Sequence, residues 1–475
     1  MLSRNRSAVL TLAVAFAASF IIYYPALGTD FVGDDYFLLL ASREMGWGEF
    51  LRATWDPSAD PGVLQLSANY WRPLSYLLFR VTYVVAGDNP LPYHLVNLAI
   101  HLAGVVVMYV LALRLTKKEL GAAVATLIFA VHPAGFESIT WIAALNSAAL
   151  PFVLGSWLAL AIAVDGPSLR RRPFVTSIIL LAAALAFRET AAAIAGAMLI
   201  WYVAVPGRTR LGAVSTWIVA GAIVVVVAVH AFVFVGIFGD EAGRPLWDIR
   251  GEGLDRGWFY IRQAVLATDN PHALLVWLQR TVAVGYLAVL ALAALRRQWT
   301  IAALGLGFLV SIIPYAFFSL GIGPRYLYLP SAVFALSLGA IAARIPEFLS
   351  FPSRRSVQFV AAALAALVLV ATPVANRRVQ VWVEAFPDQN ESWVNGLLAQ
   401  HPELPEGAGI WVVDPPLILA LLDGYIIPPI IHYLYDEQPQ VYVISSEHLA
   451  FAEATKAPQD IIYIWEGSPA YTPLD

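Results

Sequence analysis

The chain has 475 residues, of which 59% are hydrophobic and 13% are charged, and its mean hydropathy is +0.69. Soluble globular proteins carry about 25% charged residues, so the composition excludes a soluble protein and indicates a membrane protein with several spans. The net charge is −4 and cysteine is absent, which excludes disulfides, thiolate metal sites and cysteine nucleophiles. No basic cluster indicates nucleic-acid binding.

The first apolar segment, residues 8–27, is long enough to cross a bilayer and lacks a clear small-residue cleavage site. We therefore expect a retained helix rather than a removed signal peptide. The short basic start before it favours a cytoplasmic N terminus. Asp34 and Asp35 follow this span directly, where a carboxylate is either exposed or functional because burial in lipid is costly. The alternative is that the pair caps the helix that follows.

Residues 28–93 form a loop too long for a simple turn. It contains two semi-apolar stretches, 36–43 and 74–85, which are predicted to be amphipathic helices on the membrane surface. Ten further spans are predicted at residues 94–113, 119–131, 139–164, 173–187, 190–205, 212–238, 281–295, 300–319, 327–343 and 356–374. With these eleven spans, most basic loop residues lie on the side of Arg4 and Arg6, as the positive-inside rule requires; Arg377 and Arg378 are exceptions.

The C-terminal segment differs in kind from the rest. Residues 409–414, 440–444 and 460–465 have the pattern of short buried strands, and helical stretches separate them. We therefore expect an all-α polytopic membrane domain over residues 1–375, which includes the outer loop 28–93, and a small α/β domain over residues 376–475. Because the number of spans is odd, this second domain is predicted to be extracytoplasmic.

The polar residues at the predicted outer ends of the spans form a recurrent pattern. Besides Asp34 and Asp35 they are Arg72, His132, Glu137, Arg188, Glu189, Arg325, Tyr326 and Tyr328. Each has a structural alternative, such as a local ion pair for Arg188 and Glu189 or an interfacial anchor for Arg325. Five separate junctions nevertheless carry such groups, so we predict one polar cavity at the outer leaflet. His94, Asn97 and His101 share one helical face and are expected to make hydrogen bonds between helices.

Five motifs occur in an order that resembles a known family. They are Tyr70-Trp71-Arg72-Pro73-Leu74, Tyr93-His94-Leu95-Val96-Asn97 with His101-Leu102, His132-Pro133 with Glu137 and Trp141-Ile142, Arg188-Glu189-Thr190, and Arg325-Tyr326-Leu327-Tyr328-Leu329-Pro330-Ser331. Over roughly residues 10–345 the chain resembles the membrane part of the GT-C glycosyltransferases. The resemblance is strongest to the TMTC-type protein O-mannosyltransferases and their bacterial relatives.

The resemblance implies a polyprenyl-phosphate-linked sugar as donor, a hydroxyl-bearing acceptor and an acidic motif in the first outer loop. Asp35 or Asp34 would then be the catalytic base, and Asp35 is preferred because it lies at the start of the surface helix. The donor phosphate would be bound by arginine side chains, namely Arg188, Arg325 and Arg72. The remaining predicted substrate-binding residues are His132, Glu137, Glu189, Tyr326 and Tyr328. No metal ligand is assigned and no cofactor is required, although a divalent metal is compatible with the chemistry.

Two other functions are consistent with a polytopic membrane protein. A transporter or lipid flippase would carry polar groups at mid-membrane and paired inverted repeats, which the sequence does not display. A non-catalytic lipid-binding assembly subunit would use the acidic pair for structure alone. The sequence favours a glycosyltransferase with its site and C-terminal domain on the extracytoplasmic face.

Overall fold

The computed structural model describes residues 2–56, 71–205, 213–238, 253–268, 272–317, 323–348, 353–416, 419, 426–436 and 439–465. Tyr70 of the first motif lies outside the described residues. Almost all of the regular structure is helical, and the first nine helices are α1 (Leu2–Tyr23), α2 (Asp35–Glu44), α3 (Trp47–Trp55), α4 (Pro73–Ala86), α5 (Pro90–Thr116), α6 (Glu119–Val131), α7 (Glu137–Thr140), α8 (Asn146–Ala163) and α9 (Arg171–Phe187).

The chain continues with a second set of helices. They are α10 (Ala191–Ala204), α11 (Ala213–Phe238), α12 (Gly253–Val265), α13 (Ala273–Leu295), α14 (Trp299–Ala316), α15 (Tyr328–Phe348), α16 (Ser353–Ala385), α17 (Pro387–Gln400), α18 (Ile427–Tyr435) and α19 (Leu449–Thr455). Each of the eleven predicted spans coincides with one of the helices α1, α5, α6, α8–α11 and α13–α16.

Hydropathy and length identify the helices that can cross a bilayer. Seven candidate spans are found among the described residues: Arg6–Gly28, Pro90–Thr116, Ser215–Phe232, Ala273–Leu295, Trp299–Ala316, Arg325–Ile345 and Gln358–Gln400. Four further apolar helices, among them α4 and α6, are shorter than 18 residues. The predicted all-α integral-membrane architecture is therefore confirmed.

The bundle is built around α15 and α6. In the Arg325–Ile345 span 83% of the most apolar 18-residue stretch is buried inside the protein, so α15 is central. In the Ser215–Phe232 span the buried share is 17%, so α11 faces outward. A Cβ atom on Gly121 would lie 2.7 Å from the carbonyl oxygen of Gly339, and one on Gly339 would lie 2.5 Å from that of Gly121. Small residues let two membrane helices approach this closely, and dispersion contacts between the backbones then stabilise the pair.

The fourth predicted span, residues 139–164, is wrong at its start. After the single turn of α7 the chain leaves the helical conformation over residues 141–145, and α8 begins at Asn146. Leu145 has φ = 44°, in the left-handed region that a leucine rarely adopts. Hydropathy does not detect this break, because residues 141–145 are themselves largely apolar.

Helix α2 also differs from its prediction as an amphipathic surface helix. Residues 35–42 are all buried, polar Asp35 and Ser42 included. The C-terminal domain accounts for part of this burial, because its helix α18 packs against α2, and α4 packs against α2 as well. The ring of Tyr36 on α2 lies 5.4 Å from the ring of Tyr433 on α18.

The C-terminal domain has the predicted strands. They are β1 (Ile410–Val413), β2 (Val441–Ile444) and β3 (Ile461–Ile464), and they form a parallel sheet in the order β2-β1-β3. Ile410 pairs with Val441 on one side and with Ile461 on the other. Helix α16 continues to Ala385, past the predicted domain boundary at residue 375, and α17 follows after a short break with Pro387 at its first position, where proline is favoured.

Candidate functional site

One end of the bundle gathers polar residues from five segments of the chain. Asp34 and Asp35 begin α2, Arg72 precedes α4, Glu137 begins α7, Arg188 and Glu189 connect α9 to α10, and Arg325 lies in the turn before α15. All of these segments are helix ends or short connections. Backbone N–H and carbonyl groups are unsatisfied at helix ends, so this end of the bundle offers both side-chain and main-chain hydrogen-bonding groups.

Asp35 is fully buried and both of its carboxylate oxygens accept hydrogen bonds from the backbone. Oδ2 accepts from the N–H of Val32 at 2.8 Å, and Oδ1 accepts from the N–H of Ala143 at 2.6 Å. Burial raises the pKa of Asp35 to about 8, although the two N–H donors act in the opposite direction. The side chain thus joins the first loop to the break before α8, and its oxygens face donors of the protein rather than an open site.

Asp34 is half-buried and takes the N-cap position of α2, but its side chain makes no capping hydrogen bond. Burial raises the pKa of Asp34, and the positive charges of Arg325, Arg72 and Arg188 oppose that shift. The carboxylate is therefore within the electrostatic reach of three guanidinium groups from three different segments. Neither aspartate makes a capping hydrogen bond to α2, which was the alternative considered from the sequence.

Arg72 and Glu189 form a bidentate ion pair. Nε of Arg72 donates to Oε2 of Glu189 at 2.8 Å, and Nη2 donates to Oε1 at 2.6 Å. Burial raises the pKa of Glu189, but the charge and hydrogen bonds of Arg72 outweigh it and the pKa falls to about 2. The pair is permanently ionised at neutral pH and fixes the start of α4 against the α9–α10 connection.

Arg188 and Arg325 approach the same region from other directions. Nη1 of Arg188, a residue with 7% of its surface exposed, donates to the carbonyl oxygen of Ala144 at 2.5 Å. Nη1 of Arg325 donates to Oε2 of Glu137 at 3.3 Å. The Arg325 guanidinium carbon lies 5.5 Å from the ring centre of Trp141 and 5.0 Å from that of Tyr326. Both distances are within the range of cation–π attraction.

Two predicted substrate-binding residues have partners in the protein itself. Nε2 of His132 lies 2.9 Å from the carbonyl oxygen of Ala264, and its Nδ1 accepts from the N–H of Ala134 at 3.2 Å. The hydroxyl of Tyr328 lies 3.0 Å from Nδ1 of His101, and Tyr328 is buried. The structure therefore brings Asp34, Arg72, Glu137, Arg188, Glu189, Arg325 and Tyr326 together, and gives His132 and Tyr328 contacts within the helix packing.

The polar face of α5 makes the contacts between helices that its spacing predicts. His94 lies 3.2 Å from the hydroxyl of Thr29, and Nδ2 of Asn97 lies 3.5 Å from the carbonyl oxygen of Ile139. His101 lies 3.4 Å from the hydroxyl of Ser19. These contacts tie α5 to α1 and α7 and hold the first outer loop against the bundle.

The sequence did not reveal two main-chain groups of the site. The N–H of Ala143 binds Asp35 and the carbonyl of Ala144 binds Arg188. No side-chain pattern marks them, because any residue type supplies the same backbone atoms. Trp141, which borders Arg325, carries a signal: it belongs to a quoted motif, but it had no assigned role.

Metal ligands are not clustered in the described part of the chain. No group of three or more histidine, aspartate or glutamate side chains there has the geometry to hold an ion.

No known family profile matches the chain. It is 34% identical over 134 residues to "Protein O-mannosyl-transferase Tmtc1" of Drosophila melanogaster, an alignment that covers 27% of this chain and 15% of that protein. It is 31% identical over 151 residues to "Protein O-mannosyl-transferase TMTC1" of Homo sapiens, which covers 30% of this chain and 17% of that protein. The matches thus span less than one fifth of the length of these relatives.

Similarity of fold extends over nearly the whole chain. The crystal structure of ArnT from Cupriavidus metallidurans bound to undecaprenyl phosphate superposes with a TM-score of 0.50 at 13% identity, and covers 96% of this chain and 89% of ArnT. At this identity the match establishes the fold alone, which is of the GT-C type. The resemblance inferred from the motifs is confirmed by these two kinds of match.

Proposed function

We propose that the chain is a membrane glycosyltransferase that moves a sugar from a polyprenyl-phosphate donor to a hydroxyl acceptor. The observation that carries the proposal is the position of Asp34, a half-buried residue whose carboxylate is within the electrostatic reach of Arg72, Arg188 and Arg325. Glycosyl transfer from a lipid phosphate needs both a proton acceptor and cations for the leaving phosphate. The fold and the named O-mannosyltransferase relatives support this assignment.

Asp34 is the proposed base, in place of the Asp35 preferred from sequence. A general base must reach the proton that it removes. Asp34 is half-buried and its side chain makes no capping hydrogen bond. In contrast, Asp35 is fully buried, and both of its carboxylate oxygens accept hydrogen bonds from backbone N–H groups. Asp35 is assigned the role of fixing the loop that presents Asp34.

The proposed reaction is a direct displacement with inversion at the anomeric carbon. The acceptor oxygen bonds to that carbon while its proton passes to the Asp34 carboxylate, and the bond from the anomeric carbon to the phosphate oxygen breaks. The leaving phosphate takes the electron pair and gains negative charge. Guanidinium groups bind phosphate with two parallel hydrogen bonds, so Arg188, Arg325 and Arg72 would stabilise the charge that develops.

The carboxylates of Glu137 and Glu189 set the geometry of this cationic site. Each accepts hydrogen bonds from an arginine, Glu137 from Arg325 and Glu189 from Arg72. They would hold the guanidinium planes in orientation before the donor binds and limit the positive charge of the empty site. Tyr326 and Trp141, which border Arg325, would contact the sugar or the phosphate on either side of this arginine.

A turnover assay on the full chain in lipid nanodiscs tests the proposal. The donor would be polyprenyl-phosphate mannose, chosen from the names of the relatives, offered with a panel of hydroxyl acceptors and followed by donor consumption. Asp34→Asn should lower turnover by about 10²–10⁴-fold, the usual contribution of a positioned acid–base group. The matched control is Asp165→Asn, which alters an aspartate paired with Arg114 in a different part of the bundle.

Two outcomes would contradict the assignment. Equal turnover in the wild type and in Asp34→Asn would show that Asp34 is not the catalytic base. Binding of the donor without turnover for any sugar or acceptor would favour a lipid-binding assembly subunit instead.

The proposed site and the C-terminal domain are assigned to the extracytoplasmic side. The support is the distribution of basic residues, which places Arg4, Arg6 and most loop arginines on the opposite side.

A further inference from the structure

The C-terminal domain contacts the C-terminal end of α2, the helix that begins at the acidic pair. Nη1 of Arg43 in the last turn of α2 donates to the carbonyl oxygen of Tyr433 at 3.0 Å, and its Nη2 lies 2.9 Å from Oδ1 of Asp436. Nε2 of His432 lies 3.1 Å from Oε1 of Glu44. These contacts fasten the C-terminal end of α2 to α18.

The same domain also reaches the N-terminal end of α2 through one side chain. Asn390 on α17 is 1% exposed, and its Nδ2 donates to the carbonyl oxygen of Phe31 at 3.0 Å. Its Nδ2 also lies 3.5 Å from the hydroxyl of Tyr36. The amide therefore contacts residues on both sides of Asp34 and Asp35. Asn390 and this segment are about 355 positions apart in the sequence.

A continuous set of hydrogen bonds leads from this amide to the acidic pair. Asn390 donates to the carbonyl oxygen of Phe31. The N–H of Val32, which belongs to the same peptide group, donates to Asp35. Asp35 in turn accepts from the N–H of Ala143. Asp34 lies between Val32 and Asp35 in the chain, so the backbone that carries it is fixed on both sides.

The contact uses an uncharged hydrogen-bond donor at this position. A carbonyl oxygen needs a donor, and the side chain of asparagine supplies one without charge. The Oδ1 atom of Asn390 is buried and has no hydrogen-bond partner among the described residues. A half-satisfied buried amide is a poor choice for stabilising a core, which favours a role in placing the loop.

We propose that Asn390 is a positioning residue for the acid–base group, and that the C-terminal domain thereby forms part of the catalytic apparatus. This inference rests on the proposed function, because the group that Asn390 positions is the proposed base Asp34. Asn390 does not contact the reacting atoms and acts through the Phe31 carbonyl. Donor binding depends on the arginines of the membrane domain and is independent of the amide.

The test compares Asn390→Ala with Tyr463→Phe in the full chain. The hydroxyl of Tyr463 donates to the carbonyl of Trp393 at 2.8 Å, so the control also removes one hydrogen bond to α17 without touching α2. Asn390→Ala should lower kcat by about 10–100-fold, the effect of a small misplacement of a catalytic group. The Kd and KM for the polyprenyl-phosphate donor should be unchanged, and Tyr463→Phe should retain the wild-type kcat. An equal loss of kcat in both variants would overturn the positioning role.

Hydrogen exchange provides a readout that does not depend on activity. In Asn390→Ala the amides of residues 29–36 should exchange faster, while those of the three-stranded sheet keep their wild-type protection. Unchanged exchange over residues 29–36 would overturn the inference. Faster exchange there, together with a wild-type protein that turns over no donor, would sustain the contact's role in ordering the loop and refute the proposed function separately.

Discussion

Oδ1 of Asp35 accepts a hydrogen bond from the backbone N–H of Ala143 at 2.6 Å, across a sequence separation of 108 residues. This bond connects the loop after the first span to the break between α7 and α8. It also occupies one lone pair of an oxygen in a fully buried carboxyl group. The two adjacent aspartates are therefore assigned different tasks, Asp35 in structure and Asp34 in chemistry.

Substitution of the two aspartates should separate stability from turnover. Asp35→Ala leaves the N–H groups of Val32 and Ala143 without an acceptor, and each buried unsatisfied group costs about 1–3 kcal/mol. We expect a clear loss of thermal stability in detergent for Asp35→Ala and nearly none for Asp34→Ala, whose side chain makes no capping bond. Turnover should show the reverse order once the stability loss is corrected. A stable but inactive Asp35→Ala protein would return the base to Asp35.

The pKa of Asp35 gives a pH dependence of stability. Burial raises the folded-state pKa to about 8, above the ordinary value of about 3.9, so between these values the folded chain holds a proton that the unfolded chain releases. The contribution of Asp35 to stability is therefore full below the unfolded pKa and is lost as pH rises through 8. The thermal unfolding temperature of the wild type should fall over this range by more than that of Asp35→Asn, which cannot titrate. Parallel pH profiles for the two proteins would contradict the raised pKa.

The Arg72–Glu189 pair should depend on the planar guanidinium. Arg72→Lys keeps the charge but replaces two fixed N–H donors with a point-like ammonium group, and loss of one hydrogen bond to a charged group costs about 1.5–3 kcal/mol. Arg377→Lys is the matched control, because Arg377 and Glu384 form a pair with 62% and 59% of the two side chains exposed. Exposed pairs contribute little, so the control should unfold like the wild type. The same unfolding temperature for both variants would show that the bidentate geometry is unimportant.

The close approach of α6 and α15 predicts a packing defect. Gly121→Ala would place a Cβ atom 2.7 Å from the carbonyl oxygen of Gly339, so the two helices must move apart. Overpacking of this kind costs typically about 1–3 kcal/mol. Gly285→Ala on α13 is the control, since a Cβ atom there meets nothing within 4 Å. Unfolding in a denaturing detergent reports the difference, and equal resistance of the two variants would refute the packing argument.

The proposed orientation can be read by single-cysteine labelling, because the native chain has no cysteine. Ala454→Cys on α19 and Lys118→Cys after α5 are both at exposed positions. Helix α5 has 27 residues, which separates its two ends by about 40 Å. An impermeant maleimide should label Ala454→Cys in intact cells and Lys118→Cys after permeabilisation. The opposite result would place the proposed site in the cytoplasm.

The sequence by itself determined the membrane architecture and predicted that polar residues at several helix ends lie together. Crossing a bilayer requires about 20 consecutive apolar residues, which is a local property of the chain. The predicted spans therefore fall on helices, except at the start of the fourth, where residues 141–145 are not helical. The strands of the C-terminal sheet were found for the same reason, through short apolar runs. Counting the spans also placed Asp34, Arg72, Glu137, Arg188 and Arg325 at one end of the bundle, where the structure has them together.

The tertiary structure alone decided which hydrogen-bond partners these groups have. Asp34 and Asp35 have the same side chain and adjacent positions, but the N–H of Ala143 reaches one and not the other. The break before α8, the bidentate partner of Arg72 and the contact from Asn390 likewise depend on segments far apart in the chain. Hydropathy and spacing indicate whether a side chain is more stable in water or in an apolar environment. Its accessibility and its hydrogen-bond partners depend on which distant segments of the chain pack against it.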